Sequence, residues 1–299
     1  MSPSKPVHPQ FVNEPHPETG TTLAEFRRMF EDIVQRAFAE DLPDITSESI
    51  FDPGDRGSAR FLVKGEGVIA GLAVVESVFR TLDPAAEVTL LSADGTRVQP
   101  GDIVAEVSAS VIALLSGERT ALNLMQRASG IATMTRRFVD AVAGTRARIH
   151  DTRKTAPGLR TLDKYAVVAG GGENHRIGLH DMFLVKNNHI DRAGSITAAV
   201  DRIRARKMTQ PLMIEVRDMR ELEEALALTP DFILLDNMNT DQLREAVQRT
   251  AGRVPLEASG GITLDTVRGV AETGVDRISV GALTHSVTAL DISMRIGQV

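Results

Sequence analysis

Apolar positions change their rhythm along this chain, and each rhythm predicts a different kind of element. Leu23, Phe26, Phe30, Ile33, Val34 and Phe38 recur at helical spacing, so residues 22–40 should form an amphipathic helix. Thr22 and Glu25 have the spacing of a capping box at its start. From about 58 to 108 the texture turns to Val and Gly, in SARFLVKGEGVIAGLAVVESVF and AEVTLLSADGTRVQPGDIVAEVSAS. Asp94-Gly95 and Pro100-Gly101 read as turns, so several short strands are the expected outcome there. Residues 110–142 return to a helical pattern.

From about 146 onward short apolar runs alternate with helical ones. ARIHD, DMFLVK, LMIEV, FILLD, VPLEA and RISVG read as strands; MRELEEALAL, TDQLREAVQRT and LDTVRGVAET read as helices. Asp218 and Glu221 again have capping-box spacing. Repeated strand–helix units require a parallel sheet covered by helices, an α/β fold. Six such strands favour a barrel over an open sheet.

Each of these strands runs apolar and then ends in polar residues. The ends are Asp151-Thr152-Arg153-Lys154, Lys186-Asn187-Asn188-His189, Glu215-Val216-Arg217, Asp236-Asn237, Ser259-Gly260-Gly261 and Ser279-Val280-Gly281. In a β/α barrel all carboxyl ends meet at one mouth, where active sites sit. Polar residues at a single strand end often only cap the next helix; six in a row, with this mix of ions, ask for more.

Arg153, Lys154, Arg176 and Lys186 would face Glu215 and Asp236 at that mouth. A cation cluster of this kind implies a polyanionic ligand, with phosphates or several carboxylates. Gly260-Gly261 and Gly281 let backbone N–H groups approach an anion at the two final strand ends, a frequent phosphate site. Glu215 and Asp236 are two oxygen donors suited to Mg²⁺, or alternatively partners for Lys154 and Lys186. The segment GGGENHRIGLHD carries His175 beside Arg176, a donor pair for an anion. His175, His180 and His189 do not have zinc-site spacing.

Composition narrows the classes. The chain has 299 residues, 42% hydrophobic and 25% charged, as in soluble globular proteins. With no cysteine, disulfides, thiolate catalysis and Cys-based metal sites are excluded, which fits a cytoplasmic protein. A formal net charge of -6 argues against nucleic acid as partner. The longest apolar stretch, near Val68–Val75, is too short to cross a membrane. Residues 1–20 hold five prolines and no apolar core of a secretory signal, so a disordered arm is expected.

Ordered segments then carry a family resemblance: GERTALNLMQRASGIAT at 117–133, DTRKTAPGLR at 151–160, KYAVVAGGGENHRIGLHD at 164–181, FLVKNNHI at 183–190, LLDNM at 234–238, EASGGI at 257–262 and VGALTHS at 280–286. Together they resemble quinolinate phosphoribosyltransferase, also called nicotinate-nucleotide pyrophosphorylase (carboxylating). The resemblance implies an N-terminal α/β sandwich, hammerhead-like at VQPGDIVAEV, and an incomplete β/α barrel of the type II phosphoribosyltransferase kind. The expected divisions are a sandwich at 21–130, a catalytic barrel at 131–284 and a segment at 285–299 returning to the sandwich. It also implies quinolinate and phosphoribosyl pyrophosphate as substrates, Mg²⁺, no organic cofactor, and a homodimer.

Carried over by position, Arg119, Arg153, His175 and Arg176 resemble the residues that hold the two carboxylates of quinolinate, Arg119 being lent across the dimer interface. Lys154 and Lys186 resemble the pair near the reacting centre. Glu215 and Asp236 resemble the acidic residues that meet Mg²⁺ and the ribose. Ser259, Gly260, Gly261 and Gly281 fall where the family cradles the ribose phosphate. Asn187 and Arg217 depart from the acidic residues many members have there or nearby. The alternatives are a nicotinate phosphoribosyltransferase, which needs fewer cations, and a catalytically silent metabolite binder. A carrier role for the N-terminal strands would need a lysine on the 93–97 turn, which has none.

Overall fold

The computed structural model describes residues 23–297, with side chains from residue 30 onward. In chain order the elements are α1 (Leu23–Asp41), α2 (Ile45–Ile50), β1 (Arg56–Val63), β2 (Gly67–Val68), α3 (Leu72–Leu82), β3 (Glu87–Leu90), β4 (Arg97–Val98), β5 (Ile103–Ser110) and α4 (Val111–Ala141). They continue with β6 (Arg148–His150), α5 (Arg160–Ala169), β7 (Phe183–Val185), α6 (Asn187–Ala193), α7 (Ile196–Arg204), β8 (Leu212–Val216), α8 (Met219–Ala227), β9 (Phe232–Asp236) and α9 (Thr240–Thr250). Last come β10 (Leu256–Ser259), α10 (Leu264–Ala271), β11 (Arg277–Ser279), α11 (Ala282–His285) and β12 (Ile292–Gly297). The expectations for residues 1–20 and for the Thr22–Glu25 cap lie outside the described residues.

The chain divides into two compact units. The first holds the described chain up to Arg136, then Thr155–Gly171 and the chain from Thr284; the second holds Arg137–Lys154 and Gly172–Leu283. The segment 155–171, inside the range expected for the barrel, therefore groups with the first unit. The reason is packing: Tyr165 of α5 meets Phe30 of α1 edge-on, ring centres 5.1 Å apart, and its hydroxyl donates to Asp94. Arg127 of α4 also grips the fully buried Asp163 of α5 through two hydrogen bonds of 2.8 Å.

The first unit is built on an antiparallel sheet in the order β12-β1-β5-β3. Along β1 exposed and buried positions alternate, so Ala59, Phe61 and Val63 face the core. One expectation fails here: LAVVESVFRTL, inside the stretch taken for strands, is the helix α3. Its β-branched residues favour a strand locally. Yet Leu72, Val75 and Phe79 share one helical face, and Phe79 packs on Phe61 at 6.1 Å, so tertiary burial overrides propensity. The turns at Gly95 (φ +87°) and Gly101 (φ +101°) are as read from the sequence.

The second unit is a parallel sheet in the order β6-β11-β10-β9-β8-β7. Among the described strands β6 and β7 do not pair with each other, so the barrel is incomplete. Register divides the sheet into two faces. Ile149, Val185, Ile214, Leu235, Ala258 and Ile278 lie on one face, all buried and apolar. Helices α7 to α10 pack side by side in succession. The other face begins with an apolar cluster of Leu184, Met213 and Leu234, joined by Met182 and Phe232. Two residues further toward the carboxyl ends the same face turns polar, with Lys186, Glu215, Asp236, Ser259 and Ser279 in neighbouring positions.

Candidate active site

The polar layer is tied together by short-range contacts. Lys186 Nζ lies 3.8 Å from Glu215 Oε2, and the other carboxylate oxygen accepts the Asn187 N–H at 3.3 Å. Lys186 itself caps α6, its backbone N–H donating to His189 Nδ1 at 2.9 Å. On the next strand Asp236 accepts from Asn237 Nδ2 at 3.0 Å. The Asn237 N–H donates to the Ser259 carbonyl at 2.8 Å, locking the β9 and β10 ends together. Gly260 sits at φ +106°, and a Cβ there would collide with the Asn237 side chain. Only glycine meets both conditions. Gly261 (φ +60°) opens to free space, and Gly281 follows β11 at partial exposure.

At the other edge of the sheet the chain at 173–175 lies beside β6, bridging Glu173 to His150 in parallel. Fully buried Asp151 fixes this loop: it accepts Asn174 Nδ2 at 2.7 Å and the His175 N–H at 2.8 Å. His175 Nδ1 accepts the Arg176 N–H at 2.7 Å. Buried Arg176 donates from Nη1 to the Met182 carbonyl at 3.2 Å. Its pKa is pushed down by burial and by the neighbouring Arg153 guanidinium, and partly restored by Asp181. Asp181 stays ionised below its usual range despite burial, because the N–H groups of Ile177 and Gly178 donate to it. Two guanidinium groups that repel each other, one of them desolvated, are the kind of arrangement that an anion relieves. Lys154 is exposed just beyond, its N–H donating to Thr152 Oγ1 at 3.0 Å.

Arg119 belongs to the first unit, exposed on α4. It edges a hollow of about 270 Å³ shared with Leu42, Ile45 and Leu115. Arg217 pairs with Glu221 (2.5 Å) and Asp191 (3.2 Å). His180 is an exposed surface residue.

A fully buried glutamate, Glu257, escaped the sequence reading, although EASGGI was singled out. It accepts from Ser279 Oγ, and His175 Nε2 lies 3.5 Å from its Oε1. Burial pushes its pKa up to about 7, against the pull of Ser279 and Arg277. The guanidinium of Arg277 stacks 3.8 Å over the Phe232 ring. The available signal was alternation: a glutamate between Leu256 and Ala258 must point to the opposite face from both.

No cluster of three or more His, Asp or Glu side chains able to hold a metal occurs among the described residues. Glu215 and Asp236 stand on one face of adjacent strands, and two carboxylates are a donor set that hard cations accept when phosphates or water complete it.

A parallel β/α sheet with paired arginines, a lysine–carboxylate pair and glycine turns at its carboxyl ends defines a barrel enzyme for anionic substrates. The profiles of the quinolinate phosphoribosyl transferase N-terminal and C-terminal domains match residues 44–129 and 131–295. A probable nicotinate-nucleotide pyrophosphorylase [carboxylating] of Bacillus subtilis is 44% identical over 268 residues, covering 88% of this chain and 92% of its own length. The nicotinate-nucleotide pyrophosphorylase [carboxylating] of Mycobacterium leprae is 45% identical over 273 residues, covering 88% and 95%. The crystal structure of NadC from Streptococcus pyogenes superposes with a TM-score of 0.86 at 39% identity, covering 90% of this chain and 96% of that one. The chain belongs to the quinolinate phosphoribosyltransferase family.

Proposed function

We propose that this protein transfers the phosphoribosyl group of phosphoribosyl pyrophosphate to quinolinate and releases carbon dioxide, giving nicotinate mononucleotide and pyrophosphate for NAD synthesis. The buried Arg176 guanidinium beside Arg153 is the observation that carries this reading, together with family membership. A dicarboxylate offers one carboxylate to each planar guanidinium, which a monocarboxylate such as nicotinate does not.

Each residue then has a task. Arg153 and Arg176 hold the carboxylates and present the pyridine nitrogen, while His175, whose Nδ1 accepts the Arg176 N–H, orders that corner. Ser259, Gly260, Gly261 and Gly281 receive the ribose phosphate through backbone and hydroxyl donors. The ring nitrogen forms a bond to the anomeric carbon as the carbon–oxygen bond to pyrophosphate breaks, pyrophosphate taking the electron pair. Glu215 offsets positive charge developing on the ribose. Glu215 and Asp236 would hold Mg²⁺, which when bound neutralises charge on the departing pyrophosphate. Lys186 shares this task through its ammonium group. The ring nitrogen, now positive, accepts the electron pair left when the adjacent carboxylate departs as carbon dioxide. A proton then replaces that carboxylate, with Lys154, which follows the end of β6, as its donor.

Arg119 is proposed to serve the site of a second copy in a homodimer. Its hollow is rimmed by apolar Leu42 and Ile45, and Ile45 is 74% exposed in the single chain. Such an apolar rim fits coverage by a partner. A cytoplasmic place of action fits the cysteine-free composition. No described helix is long and apolar enough to cross a membrane.

Initial rates with phosphoribosyl pyrophosphate, Mg²⁺ and either quinolinate or nicotinate test the reading. Turnover of quinolinate with little from nicotinate is expected. Preference for nicotinate would overturn the dicarboxylate assignment, and no turnover of either by the folded protein would favour a silent binder.

A further inference from the structure

Burying a carboxylate completely is costly unless something repays the lost hydration. Glu257 is fully buried, yet only one of its oxygens is well served. Oε1 receives the Ser279 hydroxyl and faces His175, whereas Oε2 has no hydrogen-bond partner. A core position needing only volume would be better filled by an apolar residue, as at Leu256 and Ala258 on the same strand. The side chain that Glu257 addresses across the unit is His175.

His175 is held from three directions. Its backbone N–H goes to Asp151, its Nδ1 accepts the Arg176 N–H, and its Nε2 lies 3.5 Å from Glu257 Oε1. A neutral imidazole that accepts at Nδ1 carries its hydrogen on Nε2. That hydrogen needs an acceptor, and Glu257 Oε1 is placed to be it. Ser279 in turn fixes the rotamer of Glu257, since Glu257 and Ser279 stand on the same face of paired strands. The line Ser279–Glu257–His175–Arg176 therefore runs from the middle of the sheet to the arginine corner.

We infer that Glu257 is a positioning residue: it holds the His175 imidazole with its hydrogen on Nε2, and so keeps Nδ1 as the acceptor that fixes the Arg176 backbone for a substrate carboxylate. The inference rests on the reading of Arg176 as a carboxylate-binding group. It deepens that reading by locating what holds the corner in place. The role is of the kind that orients metal-bound histidines elsewhere, where a carboxylate sets the tautomer from behind.

Two substitutions and one spectrum test it. Nitrogen-15 NMR of the unliganded wild-type protein should show His175 as the Nε2–H tautomer. Glu257→Leu removes the acceptor and should raise the quinolinate KM about tenfold, mix the tautomers, and leave the phosphoribosyl pyrophosphate KM within about twofold. Glu257→Gln keeps an acceptor oxygen and should return the quinolinate KM to within about threefold of wild type. An Nδ1–H tautomer in the wild type overturns the inference. So does Glu257→Gln losing as much as Glu257→Leu, or equal loss toward both substrates. If Glu257→Leu does not fold, the wild-type spectrum and Glu257→Gln decide. The spectrum is read without substrate, so an enzyme inactive on quinolinate would refute the proposed function without touching the tautomer result.

Discussion

Arg176 is where a small chemical change should be felt most. Replacing it with lysine keeps the charge but removes the planar fork that matches a carboxylate. Arg176→Lys should raise the quinolinate KM at least about tenfold, as expected for losing a charge-assisted hydrogen bond, with the phosphoribosyl pyrophosphate KM little changed. Steady-state kinetics with each substrate varied in turn checks this. Glu257 makes a different prediction. Its folded pKa of about 7 lies above the ordinary 4.5, so between these values the folded state binds more protons than the unfolded one. Stability should then fall as pH rises from about 4.5 through 7, by up to roughly 3 kcal/mol from this group. Glu257→Gln should flatten that slope in denaturant titrations; an unchanged slope would refute the assignment. Arg153, Lys186, Glu215 and Asp236 were legible as candidates in the sequence because each lies at or near the end of an apolar strand run, and Arg176 because it stands beside His175 in a glycine-rich segment. Glu257 was not, because it lies within a run, nor was Arg277, which opens one; both reveal themselves only when strand alternation is combined with neighbouring strands.

Helix starts obey local chemistry closely enough to be engineered singly. Asp218 caps α8 by accepting the Glu221 N–H at 2.8 Å. The expected reciprocal arm of the box is absent: Glu221 accepts the Arg217 N–H at 2.8 Å and pairs with the Arg217 guanidinium. Asp218→Ala should therefore cost about 1 kcal/mol, the usual loss for one cap, measured by urea unfolding, and leave KM values unaltered. The same pairing accounts for Arg217, whose charge is spent on Glu221 and Asp191 rather than on the strand-end layer. The strand–helix alternation after residue 146 was readable because parallel strands are apolar throughout and their helices carry caps. Helix α3 was not, since Val74, Val75 and Val78 favour strands locally and only packing on Phe61 makes them helical.

Two compact units arise from a chain that crosses between them repeatedly, which hydrophobic rhythm does not report. The segment 155–171 is recruited to the first unit by Phe30, Arg127 and Asp94, long-range partners that no local pattern announces. β12 likewise pairs with β1 from the far end of the sequence. If active sites are shared in a homodimer, Arg119→Ala and Lys186→Ala chains, each inactive alone, should recover up to about a quarter of wild-type activity when mixed. That is the share of intact sites in randomly exchanged C₂ dimers. No recovery despite demonstrated subunit exchange would refute sharing. The central claim is the coupled transfer and decarboxylation of a dicarboxylate. Quinolinate labelled with carbon-13 at the carboxylate next to the ring nitrogen should, with phosphoribosyl pyrophosphate and Mg²⁺, release labelled carbon dioxide and unlabelled nicotinate mononucleotide in equal amounts. Label retained in the nucleotide, or nucleotide formed without carbon dioxide, would contradict it.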